Sequence, residues 1–215
     1  MQSQPGDVRI VASSWVPEAP VAKVLAEAFA TDPHTTGMLA RGKDGRPDQP
    51  ERRLEILFRL LLADGLAGGG AVDLAIDADD RTLLGVALWE PPGFTLSPWR
   101  PLTGLPTYAR AFGTRILQAA RTDRSAVQHR PAEAHWYLHL LGASPSARGR
   151  GVGGRLLRHG LARADEAGLG VYLESSTPEN VPFYEKFGLV SRGPVPAYGT
   201  ADPIGMWREP GTPSA

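Results

Sequence analysis

The chain has 215 residues, with 23 acidic and 23 basic side chains and no cysteine. That length most simply makes one domain with a sizeable core, and the balanced charge supplies no global field to draw it to nucleic acid or membrane. The missing cysteine excludes a disulfide scaffold, a thiolate nucleophile and Cys-ligated zinc.

The N-terminal MQSQPGDVRI lacks the charged-then-apolar layout of a secretory signal, and no apolar run approaches the ~20 residues of a membrane helix, so a cytoplasmic protein is expected. VRIVAS (8–13) reads as a strand. VPEAPVAKVLAEAFATD (16–32) reads as a helix with Val21, Val24, Leu25 and Phe29 on one stripe. A Pro/Gly-broken polar loop (41–50) precedes a second amphipathic helix, ERRLEILFRLLLADGLAGGG, which glycines end. AVDLAI and TLLGVALWE flank DADD, the pattern of an antiparallel hairpin. Prolines predict irregular chain over 91–104, and helical spacing resumes over 105–124. Next come the strand HWYLHLLGA (135–143), a glycine turn, the helix VGGRLLRHGLARADEAG, the strand VYLESS, the helix PENVPFYEKFG, and a strand pair near 189–193 and 203–208. Strand, helix, strand at this spacing implies one parallel pair in an otherwise antiparallel, mixed sheet. A single domain over 1–215 is expected, ordered from about 8 to 208, with a flexible tail over 209–215.

The turn in SPSARGRGVGGRLL (144–157) is the most informative stretch. A helix N-terminus offers unpartnered N–H groups and partial positive charge, which suit a phosphate. Gly149, Gly151, Gly153 and Gly154 permit close approach of main chain, and Arg148, Arg150 and Arg155 add cationic forks. The natural guest is a pyrophosphate. A Walker A loop fails, because Arg155 follows Gly154 where Lys-Ser/Thr is needed. Gly149, Gly151 and Gly154 fit the dinucleotide pattern G-x-G-x-x-G, with Glu174 about 20 residues on. Against it, the five residues SPSAR separate Ala143 from Gly149, where the dinucleotide turn is tight. The third reading is R-x-x-G-x-G, filled by Arg148, Gly151 and Gly153.

Strand, R-x-x-G-x-G, helix, strand and then ENVPFYEKFG resembles the acetyl-CoA-binding core of the GNAT superfamily of N-acetyltransferases. AFATDP (28–33), VALWEPP (86–92) and HRPAEAHWYL (129–138) are similar to the puromycin-type enzymes of that family and their actinobacterial relatives. Leu189 departs from the family pattern, standing where Gly-Phe is usual. The resemblance implies an α/β GNAT fold: a central mixed sheet with splayed parallel strands and helices on both faces. It implies acetyl-CoA as acetyl donor and a small-molecule amine as acceptor, such as an antibiotic or aminonucleoside, with no nucleic acid or membrane partner. Leu141, Gly142 and Ala143 would line the pantetheine arm, Asn180 would contact it, and Arg148, Gly149, Arg150, Gly151, Val152, Gly153 and Gly154 would hold the diphosphate. Tyr184, four residues from Asn180 on one helical face, would protonate the departing sulfur. Either Glu90 or Glu174, each at a strand end, would take the amine's proton, and Asp32 and His34 would border the acceptor.

Strand alternation sets His139 on the face of Tyr137 and Leu141, where it reads as a buried, hydrogen-bonded structural histidine, with a base as the alternative that substitution would test. The five histidines show no metal-binding pair on one helix, so no metal is expected. Two other classes stay open: a non-catalytic acyl-CoA-sensing domain and an NAD(P)-dependent oxidoreductase. The protein is expected as a monomer or homodimer.

Overall fold

The computed structural model describes residues 7–95 and 100–211. The expected tail therefore falls partly outside the described residues, as does the start of the N-terminal segment. In chain order the elements are β1 (Val8–Ser13), α1 (Glu18–Ala28), α2 (Pro33–Met38), α3 (Pro50–Ala67), β2 (Ala71–Asp77), β3 (Leu83–Glu90), α4 (Arg100–Phe112), α5 (Ile116–His129), β4 (His135–Ala143), α6 (Val152–Glu166), β5 (Gly170–Ser175), α7 (Val181–Glu185), β6 (Val190–Pro194) and β7 (Ile204–Arg208). The strands form one sheet in the order β1-β2-β3-β4-β5-β7-β6. Among the described residues only β4 and β5 pair in parallel. The mixed sheet is as the sequence spacing requires.

Helices cover both faces. Val21, Leu25 and Ala26 of α1 and Leu54, Phe58 and Leu62 of α3 recur at helical spacing, and they bury against Val72, Val86, Leu88 and Leu140 of the sheet. On the other face Leu156, Leu157, Leu161 and Ala164 of α6 bury against Ala75, Ala87, Trp89, Leu138 and Leu173. Gly160 lets α6 come this close, since a Cβ there would lie 2.0 Å from the Trp89 ring.

The single helix expected over 105–124 is instead two. The first begins at Arg100, within the stretch expected to be irregular, because Pro101 falls in the first turn, where a missing N–H costs nothing. A break follows at Gly113, whose φ of +53° cannot continue a right-handed helix. A short 3-10 turn, Gly113–Arg115, then leads into α5.

The feature that shapes the site is a β-bulge. Leu88 of β3 faces Leu140 of β4, yet Trp89 faces Leu138, so His139 is an extra residue in β4. Leu138 consequently packs under α6 while Leu140 packs under α1 and α3, although strict alternation would put both on one face. The same slip moves Leu141 to the α6 side, so the expected face shared by Tyr137, His139 and Leu141 does not form. Tyr137 alone stays with His139, their ring centroids 5.5 Å apart. Parallel pairing of β4 with β5 runs from His135/Gly170 to Leu138/Leu173 and stops at the bulge. Beyond it β4 follows β3 to Ala143, and β5 follows β7 to Ser175. The two strands part there.

Candidate active site

A cavity of about 180 Å³ occupies the split. β4 contributes Leu138, His139, Leu141, Gly142 and Ala143, and β5 contributes Leu173 and Glu174, with Ser176 following. The end of α1 adds Ala28 and Phe29, with Asp32 beyond it, and the far wall is Asn180 and Tyr184. Six residues expected at the site from sequence, Leu141, Gly142, Ala143, Glu174, Asn180 and Tyr184, therefore meet in one place. Asp32 joins them as an acceptor-side residue. Gly142 also serves packing, because a Cβ there would press within 3.0 Å of Leu25 and Ala28 of α1.

The glycine turn runs from the end of β4 into α6. Ser144 accepts a hydrogen bond from the Ser146 amide and starts a 3-10 turn over Pro145–Ala147. Gly149 (φ +82°) and Gly151 (φ +68°) are left-handed, and a Cβ on either would meet no atom within 4 Å. Gly151 is the N-cap of α6 and has no side chain to offer, so the first-turn amides of Val152, Gly153 and Gly154 lack an intrahelical acceptor. Three expectations for the turn change. Arg150 does not reach outward as an anion fork: its guanidinium bonds Asp77 at 2.7 Å, and its amide donates to the Ala147 carbonyl. Arg155 bonds the Val8 carbonyl at 3.2 Å, which ties α6 to β1. Gly154 makes room for Phe187, just past α7, which lies 3.3 Å from where a Cβ would stand, while a Cβ on Gly153 would make ordinary contact with Phe183 at 3.7 Å. Arg148 remains exposed at the turn.

Tyr184 is set by its neighbours. Phe183 and Phe187, 5.4 Å apart, anchor α7 to the α6 core, and the Tyr184 ring meets Phe183 at 5.1 Å. Burial, with the Asp32 carboxylate nearby, pushes the Tyr184 phenol up to about 12. Thr177 does not cap the following turn with its side chain; the Ser175 hydroxyl donates to its carbonyl at 2.8 Å instead.

The two glutamates have opposite surroundings. Glu90 is 3% exposed, and both its oxygens are bound: Oε1 to His139 Nδ1 at 2.5 Å, Oε2 to Arg130 Nη1 at 2.9 Å. Burial alone would raise this carboxyl, but the His139 ring and the Arg130 guanidinium outweigh it and hold it below its ordinary value. Glu174 accepts from the Tyr137 hydroxyl at 3.4 Å through Oε2, while its buried Oε1 has no partner. Burial dominates here and raises the carboxyl, against the partial opposition of Arg130, His139 and His34. The Arg130 guanidinium also lies 3.6 Å over the ring of Tyr137, whose hydroxyl donates to Glu174. His139 is the residue that periodicity undervalues, since the bulge that aims it is invisible in one sequence. The acid at the end of β3 was the available signal.

The dinucleotide alternative requires a mainly parallel sheet, and five of the six strand pairs among the described residues are antiparallel. No helix among the described residues is long and apolar enough to cross a membrane.

Residues 115–189 match the model of the acetyltransferase (GNAT) family. An uncharacterized N-acetyltransferase of Schizosaccharomyces pombe is 27% identical over 90% of this chain and 80% of its own length. A crystal structure from Corynebacterium glutamicum, described as histone acetyltransferase HPA2 and related acetyltransferase, is 29% identical with a TM-score of 0.72, covering 97% of this chain and 99% of that one. Arylalkylamine N-acetyltransferase 2 from Aedes aegypti shares the fold at 12% identity and a TM-score of 0.61, covering 95% of this chain and all of that one. The chain has the GNAT fold, and over residues 115–189 it matches the model of the acetyltransferase (GNAT) family.

Proposed function

We propose that the chain is an acetyl-CoA-dependent N-acetyltransferase, one domain over 1–215 acting in the cytoplasm as a monomer or homodimer, which acetylates a primary amine of a small molecule by direct attack. The observation that carries this reading is the split between β4 and β5, with unpartnered α6 amides beyond one end and a buried, unpartnered Glu174 oxygen within it.

These features fit the donor. The amides of Gly149, Gly151, Val152, Gly153 and Gly154, with the Arg148 side chain, would hold its diphosphate. The freed backbone of Leu141, Gly142 and Ala143 and the side chain of Asn180 would hold its pantetheine arm, much as an added strand is held. Arg150 would act one step back, fixing the turn through Asp77. When bound, acetyl-CoA supplies an activated thioester. Tyr184 keeps its phenolic proton throughout the neutral range and donates it at Oη to the departing sulfur. Of the two glutamates, Glu174 has the open oxygen and engages the incoming ammonium, whereas Glu90 is committed to His139 and Arg130. Orientation of donor and acceptor in one cavity supplies much of the rate.

Likeness to the puromycin-type enzymes at 28–33, 86–92 and 129–138 supports an antibiotic or aminonucleoside acceptor. The test is release of free thiol from acetyl-CoA against puromycin, aminoglycosides, polyamines, arylalkylamines and peptide N-termini. Turnover with a small amine is the expected result. Tight CoA binding with no turnover on any amine would favour the acyl-CoA-sensing alternative, and no CoA binding at millimolar concentration would remove the reading altogether.

A further inference from the structure

We infer that His139 is the general base of the acceptor site and that Glu90 is its positioning residue. The inference rests on the acetyl-transfer reading above and adds to it the destination of the amine's proton. Three observations converge. His139 is the bulge residue, turned out of the regular alternation of β4 at the point where the sheet opens. It is one of the residues that line the cavity with Glu174 and Tyr184, and its side chain is 26% exposed. Its Nδ1 sits 2.5 Å from an oxygen of the buried Glu90, which Arg130 fixes from the other side at 2.9 Å.

The tautomer follows from the partner. Glu90, whose other oxygen Arg130 binds, accepts at Oε1 from His139, so Nδ1 carries a proton, and in the neutral ring Nε2 is the acceptor nitrogen. A buried carboxylate behind Nδ1 fixes the ring orientation and stabilises it once Nε2 is protonated. Structural duty alone does not explain the pair, because an apolar residue would fill the same bulge without burying a carboxylate. The other charged or titratable groups around the ring are Arg130 behind α5, Tyr137 on β4, Glu174 on β5 and Asp123 on α5.

The protons balance. Glu174 holds the ammonium of the acceptor, and Nε2 of His139 takes one of its protons. The nitrogen lone pair then forms the N–C bond as the C–S bond breaks. Sulfur receives the Tyr184 proton, and Tyr184 Oη is reprotonated by the extra proton left on nitrogen. The imidazolium returns to the neutral ring by releasing its proton to water. Net products are the amide, free coenzyme thiol and one proton.

Two measurements test this. In the first, ¹⁵N-histidine NMR of the full chain reads the tautomer without any substrate. We expect His139 to carry its proton at Nδ1 and not at Nε2, with a far-downfield N–H signal that Glu90→Gln moves upfield. A ring protonated at Nε2 overturns the proposal. In the second, thiol release is followed with acetyl-CoA and the most active amine among puromycin, spermidine and phenethylamine. His139→Gln and His139→Ala should lower kcat about 10²- to 10³-fold and abolish the acidic limb of the pH profile, with CoA affinity unchanged. Added imidazole should restore part of the His139→Ala rate, which a purely structural role would not produce. Glu90→Gln should lower kcat less than His139→Ala does while altering the same limb. If His139→Gln keeps kcat within threefold, or if Glu174→Gln removes the limb while His139→Gln leaves it, the assignment fails and the transferase reading stands. If the wild-type chain releases no thiol with any amine of the full panel above, the transferase reading fails and this assignment with it.

Discussion

The two ends of the split are built from different materials. At the α6 end the site is main chain: two left-handed glycines and three first-turn amides within the contiguous segment 149–154. At the other end it is side chain: Asp32, Glu90, Arg130, His139, Glu174 and Tyr184, brought from six separate parts of the chain. An end made of amides depends on backbone conformation and hardly on pH, because nothing in it titrates. An end made of buried charges depends on every partner being present and on the protonation of each. On the proposed function the fold would separate holding of the donor from handling of the proton, and changes on one side should leave the other intact.

The sharpest test of that division is Tyr184→Phe. Removing the phenolic proton donor should lower kcat about 10²-fold or more, with CoA affinity by calorimetry unchanged, since the ring and its packing on Phe183 survive. Comparable loss of CoA affinity would erase the distinction between the ends. Second in size is Arg130→Met, read as stability by urea unfolding. Glu90 would stay buried with His139 as its one remaining partner, and breaking a buried pair this way costs about 3 kcal/mol. The sign with pH follows from the depressed carboxyl. Its stabilisation is present above the ordinary glutamate value of 4.5 and is lost as pH falls through the lower folded value. The gap between wild type and variant should therefore close in acid. A gap that persists unchanged in acid would mean that Arg130 acts through Tyr137 rather than through Glu90.

Third is Gly151→Ala, which probes the other end. Its φ of +68° strains any side-chain-bearing residue by about 1 kcal/mol, and although the space beside it is open, the amides it aims would shift. CoA affinity should weaken several-fold while kcat at saturation holds. A fall in kcat with affinity intact would place the turn in the chemistry instead. The contrast between the ends also explains what the sequence disclosed. The conformation of the glycine turn was legible because it is local: glycine spacing next to a helix start predicts a left-handed turn into the helix, as Gly149 and Gly151 form, without knowledge of the rest of the chain. Tyr184 and Asn180 were legible for the same reason, being four apart on one short segment. The partners of Arg150 and Arg155 were not legible, because Asp77 and Val8 lie more than 70 residues away in sequence. The Glu90–His139 contact was hidden by the bulge, since a one-residue slip reverses every facing that period-two reasoning assigns. The break at Gly113 was hidden because a glycine within helical spacing looks like any other until its φ is known.

The smallest expected effect, Glu174→Gln, separates the acceptor end into its two glutamates. Burial raises the Glu174 carboxyl, so its ionised form is disfavoured in the folded chain relative to the unfolded one. Its charge therefore costs stability at every pH above the ordinary value of 4.5, and that cost vanishes in acid, where both states are protonated. This is opposite in sign to Glu90. A neutral glutamine can still accept the Tyr137 hydroxyl and removes the charge, so Glu174→Gln should melt slightly higher than wild type at pH 7.5 and at the same temperature near pH 3.5. Its activity should fall mainly through a raised KM for the amine, because the ammonium loses its carboxylate partner while His139 keeps its own. A variant that melts lower at neutral pH would mean that Arg130 compensates the Glu174 charge fully, and the two glutamates would then be parts of one ion-paired network instead of one clamped carboxylate beside one left open for the acceptor.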